Sequence, residues 1–159
     1  MAEKKTTTTR VGRGVKRAFP RLPKDQVEAL AAGARTKRYA VGETVLREGT
    51  FANGFYVVIS GQADVSQLDK AGKDAKLRRL GPGDFFGEIG LLAAPRRTAT
   101  VRAKTDLEVA ALNIDQFFGL MKGSAQSAEA VSHTGRVRLR KKAPAPATTK
   151  KTAKKPAKR

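Results

Sequence analysis

One acid and one arginine stand out in the stretch GDFFGEIGLLAAPRRTATV, residues 83–101. They are Glu88 and Arg97, nine positions apart, with an apolar run from Ile89 between them and glycines at 87 and 90. A tight turn that opens a short helix over Ile89–Ala93 leaves backbone N–H groups without intrahelical partners, and such groups attract phosphate. Gly87 lets the backbone approach a ligand closely. Arg97 can present a planar fork to phosphate oxygens. Glu88, held beside it, can accept from a sugar hydroxyl. An acid and a base on opposite sides of a small cradle suit a ligand that carries both groups.

Other chemistry is largely excluded. The 159 residues contain no cysteine and a single histidine, His133. Thiolate nucleophiles, disulfides and most His-based metal sites are therefore absent from the expectation, and the chain does not read as an enzyme. A metal-binding jelly roll would need a histidine cluster, so no metal ligands and no cofactor are assigned. No apolar run approaches the roughly 20 residues of a membrane span. The N-terminus MAEKKTTTTR lacks the apolar segment of a secretory signal, so a cytoplasmic protein is expected.

The formal net charge of +19 is concentrated at the two ends. Residues 1–24 hold eight Lys/Arg against the single acid Glu3. Residues 25–135 hold fourteen against thirteen and are close to neutral. Residues 136–159 hold eleven and no acid. The tail KKAPAPATTKKTAKKPAKR has no large apolar residue and is expected to be disordered. Residues 1–14 read the same way. The folded domain is set at 15–140, between a basic segment 1–14 and a basic tail 141–159.

The elements that must position the cradle are mostly strands. FPRLPKDQVEALAAG, residues 19–33, places Val27, Leu30 and Ala31 on one helical face and stops at Gly33. Residues 35–61 read as short strands broken by Gly42, Gly49 and Gly54. FYVVIS, residues 55–60, is a buried strand by its aromatic and β-branched content. Further strands follow at 61–68, 76–80, 98–103 and 107–112. Asp115 is expected to cap a helix that ends at Gly123, and a weak helix runs from Ser124 to about Ser132. The fold class is mainly β: an eight-stranded β-roll or jelly roll with a short N-terminal helix and C-terminal helices.

FGEIGLLAAPRRTATV resembles the phosphate-binding cassette of the cyclic nucleotide-binding domain, shared by catabolite activator proteins, protein kinase regulatory subunits and cyclic nucleotide-gated channels. The spacing from Glu88 to Arg97 is similar to that of the kinase-type members. The likeness extends over roughly residues 15–122, through AFPRLPKDQVEALA, YAVGETVLREG, GFYVVISGQADV and LGPGDFFGE. It implies a cAMP or cGMP ligand. Glu88 would hold the ribose 2′-hydroxyl and Arg97 the cyclic phosphate. Gly87, Ile89 and Gly90 would line the cradle with backbone, and Thr98 and Ala99 would add contacts beside the phosphate. A threonine directly after the arginine tilts the expectation toward cyclic GMP. The closing helix, which in this family lids the base and often forms a homodimer, is poor here. It contains Gly135, and Val131 and Val137 are its only apolar lid candidates. Arg96 and His133 read as surface residues, and Phe85 and Phe86 as packing.

No winged-helix or helix-turn-helix pattern follows the cassette. The expectation is thus a cyclic nucleotide-sensing regulatory protein without its own effector domain, acting through a partner. One partner is nucleic acid, bound by the basic tails through their charge. The alternative is a ligand-independent structural or docking subunit of a larger protein assembly on the same fold.

Overall fold

The computed structural model describes residues 2–93 and 96–142, with side chains described to residue 140. The tail assigned to 141–159 lies outside these residues from 143 onward. Two helices come first, α1 (Ala2–Ala18) and α2 (Lys24–Gly33). Eight strands follow: β1 (Arg35–Tyr39), β2 (Thr44–Leu46), β3 (Phe55–Ser60), β4 (Ala63–Leu68), β5 (Asp74–Leu80), β6 (Phe85–Phe86), β7 (Thr100–Ala103) and β8 (Leu107–Leu112). Helix α3 (Glu88–Leu92) lies between β6 and β7, and α4 (Ile114–Gly123) and α5 (Ala125–Lys142) close the chain.

The strands form two antiparallel four-stranded sheets, ordered β1-β8-β3-β6 and β2-β7-β4-β5. This is the mainly β roll flanked by helices that the sequence implies. Strand β3 shows why its apolar run is unbroken. Successive side chains point to opposite faces of a strand, and both faces of β3 are covered. Phe55 and Val57 face the helical layer, with Phe19, Leu30, Phe117 and Leu120. Tyr56 and Val58 face the roll interior, with Val65, Leu80, Val101 and Val109. The Phe85-Phe86 pair divides in the same way. Phe85 stacks on Phe19 at 5.2 Å between ring centroids, and Phe86 on Tyr56 at 5.1 Å.

The expectation of disorder for residues 1–14 is corrected here: α1 is helical from Ala2. Val11 and Val15, one turn apart, are buried in the helical core, and Gly14 lies close against Ile59 of β3. Arg10 reaches the buried carboxylate of Glu108 on β8, which Arg38 of β1 also contacts at 3.3 Å. The threonine run is accommodated because the hydroxyls of Thr6, Thr8 and Thr9 donate to carbonyls four residues back, at 2.9–3.0 Å.

Two helix boundaries also differ from the reading above. Helix α4 is capped by Asn113, not Asp115. The Asn113 side chain accepts from the Gln116 N–H at 2.8 Å, while the Gln116 side chain accepts from the Asn113 N–H at 2.8 Å. This reciprocal box satisfies two orphan donors. Helix α5 continues past Ser132 to Lys142, because its weakly apolar face is held by tertiary contacts to the cassette and α4 rather than by propensity.

Candidate functional site

The cradle is built where the roll turns into α3. Gly87 takes a left-handed conformation, φ 96° and ψ −6°, between β6 and α3. A Cβ at Gly87 would lie 3.0 Å from the Gly54 carbonyl oxygen and 3.1 Å from Arg97 Nη1. Glycine is therefore required by both backbone and space. The turn carries Glu88 into full burial.

Arg97 approaches the same turn from the other side. It is 4 % exposed. Its Nη1 donates to the Gly87 carbonyl at 3.0 Å and its Nη2 to the Gly54 carbonyl at 2.9 Å. The guanidinium lies 5.9 Å from the Tyr56 ring centroid. The backbone is pinned as well: the Arg97 N–H donates to the Thr50 carbonyl at 2.6 Å, and the Gly49 N–H to the Arg97 carbonyl at 2.9 Å. Burial pushes the guanidinium below its ordinary value, opposed by Tyr56 and Glu88. The two neutral carbonyls do not cancel its charge, so a buried cation is held ready for an anion.

All seven residues singled out from the sequence line one cavity: Gly87, Glu88, Ile89, Gly90, Arg97, Thr98 and Ala99. Leu46, Val65, Phe86 and Val101 supply its apolar wall. Arg96, next to Arg97, faces outward. It donates to the Gly49 carbonyl at 2.8 Å and stacks 4.1 Å over the exposed Phe51. His133 is exposed, and Phe85 and Phe86 are core residues.

Two further arginines line the cavity and were missed as site residues. Arg138 of α5 donates through Nη1 to both carboxylate oxygens of Glu88 and to the Phe85 carbonyl, each at 2.9 Å. Gly135, one turn earlier, brings α5 close to Glu88: a Cβ there would stand 3.6 Å from Glu88 Cγ. The glycine that weakens the helix thus sits where the helix passes the cassette. Arg78 of β5 is half-buried. Desolvation lowers its guanidinium from the ordinary value, with Arg138 adding to this and Glu88 opposing. Its neighbour Arg79 points to the other face and donates to Asp64 at 2.9 Å. The adjacent pair gives no sequence signal as to which one faces inward. Val131, a lid candidate, is buried in the helical core, and Val137 is not among the cavity's lining residues.

With Arg138 seated on Glu88, the cavity measures about 40 Å³. That is room for a water or two, against roughly 300–1,000 Å³ for typical small-molecule sites. Its lining holds three arginines against one glutamate, so the field inside favours an anion. Among the described residues no cluster of His, Asp or Glu could hold a metal ion, and no helix is long and apolar enough to cross a membrane.

The chain is 36% identical over 92 residues to a cAMP-dependent protein kinase regulatory subunit of Blastocladiella emersonii, covering 58% of this chain and 23% of that protein. It is 32% identical over 106 residues to a cGMP-dependent protein kinase of Eimeria tenella, covering 66% and 10%. The chain therefore spans less than a quarter of the length of either relative. Among solved structures, the Thermus thermophilus catabolite activator protein superposes with a TM-score of 0.69 at 27% identity, covering 78% of this chain and 58% of that one. The family model described as the cyclic nucleotide-binding domain matches residues 36–124. Because that match runs from β1 through the Gly87 turn to the end of α4, the chain belongs to the cyclic nucleotide-binding domain family.

Proposed function

We propose that the protein senses a cyclic nucleotide, cAMP or cGMP, and acts through a partner rather than by catalysis. One observation carries this reading: Arg97 is a buried cation that donates to the neutral carbonyls of Gly87 and Gly54 and lines the same cavity as the buried carboxylate of Glu88. Arg97 pairs with the cyclic phosphate, and Glu88 accepts from the ribose 2′-hydroxyl. Gly87, Ile89 and Gly90 offer backbone, and Thr98 and Ala99 flank the phosphate. The ligand needs more than the present volume, so Arg138 and the end of α5 must yield as it enters. That movement is the output. A fork donor such as Arg78 matches the O6/N7 edge of guanine better than the adenine edge. Together with Thr98, it favours cGMP.

The partner half of the reading is a separate protein or a nucleic acid held by basic segments, in the cytoplasm, with a homodimer through α5 as the oligomeric form. Calorimetric titration with cAMP and with cGMP tests the ligand half. Saturable heat with either nucleotide, lost in Arg97→Ala, supports it. The alternative, a ligand-independent docking subunit, draws on the seating of Arg138 on Glu88, which takes up the space beside the cradle. Absence of heat with both nucleotides would decide for that alternative.

A further inference from the structure

Besides the basic end of α5, positive charge is concentrated away from the cassette, on α1. This helix holds Lys4, Lys5, Arg10, Arg13, Lys16 and Arg17 against the single acid Glu3. Val11 and Val15 fasten its inner face to the core, so the outer cations form a fixed platform rather than a loose tail. Arg10, Arg13 and Arg17 recur at i, i+3 and i+7 and share one stripe. Arg10 is engaged with Glu108. Arg13, Lys16 and Arg17 are exposed.

A groove of about 710 Å³ runs between α1 and α2, lined by Arg13, Lys16 and Arg17 on one side and Lys24 on the other. Glu28 is the one acid among its lining residues. A second groove, about 220 Å³, lies on the far flank of α1 and is lined by Arg10, Arg13 and Arg17. Arg13 and Arg17 therefore form a ridge between two grooves. The Arg17 stem lies along Gly83, where a Cβ would come within 2.8 Å of it. Lys16 Nζ donates to the Leu22 carbonyl at 3.2 Å. Among the described residues, none of Arg13, Lys16, Arg17 and Lys24 makes a salt bridge.

Unpaired like charges on a rigid face repel one another and are relieved by an anionic partner. Neither groove is lined by an aromatic residue for base stacking or by Asn or Gln to read a base edge. The larger groove has an apolar floor at Val27 and Ala31, and the ridge of forked donors above it, with a cation across the groove, suits backbone recognition. We infer that the α1–α2 face docks the sugar-phosphate backbone of duplex nucleic acid without regard to sequence. This sharpens the partner half of the functional reading and is independent of its ligand half. It also moves the contact from a disordered tail onto the folded domain.

The test is fluorescence anisotropy of a labelled random-sequence duplex with the full chain, without cyclic nucleotide, between about 50 and 200 mM salt. The variant carries Arg13→Gln, Lys16→Gln, Arg17→Gln and Lys24→Gln together. A control carries Lys70→Gln and Lys73→Gln in the β4–β5 turn of the other sheet. The salt slope is expected to shrink by about 3–4 in the quadruple variant, since each neutralised contact removes about 0.9. Low-salt affinity should fall about 100-fold or more, and the control should stay within about threefold of the parent. Circular dichroism should show an unchanged fold, because the four side chains are exposed. Calorimetry with cyclic nucleotide on the same variant should match the parent, so a failed ligand reading stays distinguishable from a failed surface. Equal slopes for variant and parent would overturn the inference, leaving any binding to residues outside this face. No binding by the full chain, or displacement of the duplex by an equal charge of polyglutamate, would also overturn it, the latter in favour of an acidic protein.

Discussion

Arg97 and Arg96 are adjacent and chemically identical, yet their surroundings assign them opposite roles. Arg97 is buried between two carbonyls, while Arg96 is exposed over Phe51. Arg97→Ala is expected to weaken cyclic nucleotide binding by roughly 2–5 kcal/mol, because a desolvated phosphate loses its partner. Arg96→Ala should change affinity by less than about 0.5 kcal/mol, as for other surface changes. Isothermal titration of both variants checks this, with thermal melts to confirm that Arg97→Ala still folds. Equal losses would mean that the cassette register is wrong. Arg138 has a different consequence. Its removal strands the buried carboxylate of Glu88, which costs about 3–5 kcal/mol. Denaturant unfolding of Arg138→Ala should show that loss in the midpoint, with the slope unchanged. The double variant Glu88→Gln, Arg138→Met should recover part of it, since the buried pair is then removed as a unit and no carboxylate is left stranded.

At the scale of elements, α1 and the β4–β5 hairpin each rest on a carboxylate. Glu108 on β8 is buried and takes Arg10 from α1. Deleting residues 2–10 should therefore cost about 1–3 kcal/mol in denaturant unfolding, the penalty for a poorly satisfied buried group. An unchanged midpoint would return this segment to the status of a tail. Asp64 on β4 contacts Arg79 at 2.9 Å and Lys76 at 3.3 Å on β5. The hydrogen bond from Arg79, helped by Lys76, holds its carboxyl below the usual carboxylate range. A depressed pKa contributes stability above the unfolded value, about pH 4, that is lost as pH falls through the folded value. The stability difference between the parent and Asp64→Asn should thus be present at pH 7 and shrink toward zero below about pH 4. A difference that does not change with pH would show that the pairing contributes nothing.

The whole molecule carries a basic face on α1 and α2 apart from its arginine-lined cradle. The lining of the cavity ends at Arg138. Removing residues 143–159 should therefore leave nucleotide affinity within about twofold, equivalent to some 0.4 kcal/mol. The basic α1–α2 face and the cavity lie on different parts of the domain, joined through the roll and α5. Coupling between two such sites is typically about 1–3 kcal/mol. A saturating cyclic nucleotide is expected to change duplex affinity by about tenfold at most, measured by anisotropy with and without ligand. A change of several hundredfold would require a contact between the two regions that the described residues do not make.

The seven residues from Gly87 to Ala99 were legible from the chain because they lie close together in sequence. Type and spacing mark Gly87, Glu88 and Arg97, the resemblance to the family cassette adds Ile89, Gly90, Thr98 and Ala99, and all seven line one cavity. The strands were legible for a related reason: an unbroken apolar run such as FYVVIS signals a strand covered on both faces. Neither signal extends to partners far apart in the chain. Arg138 meets Glu88 across 50 positions, and Arg10 meets Glu108 across 98. Nothing in RVRLR or in TTTTRVGRG states which distant carboxylate will receive its arginine. Composition even pointed the wrong way for α1, because Val11 and Val15 are too few to signal a helix until α2 and β3 stand beside them. Arg78 and Arg79 differ only in which face of β5 they occupy, and strand pairing sets that. Local conformation is thus written in neighbouring residues, whereas the arginines that close the cavity and arm the basic face acquire their roles only when the roll brings remote segments together.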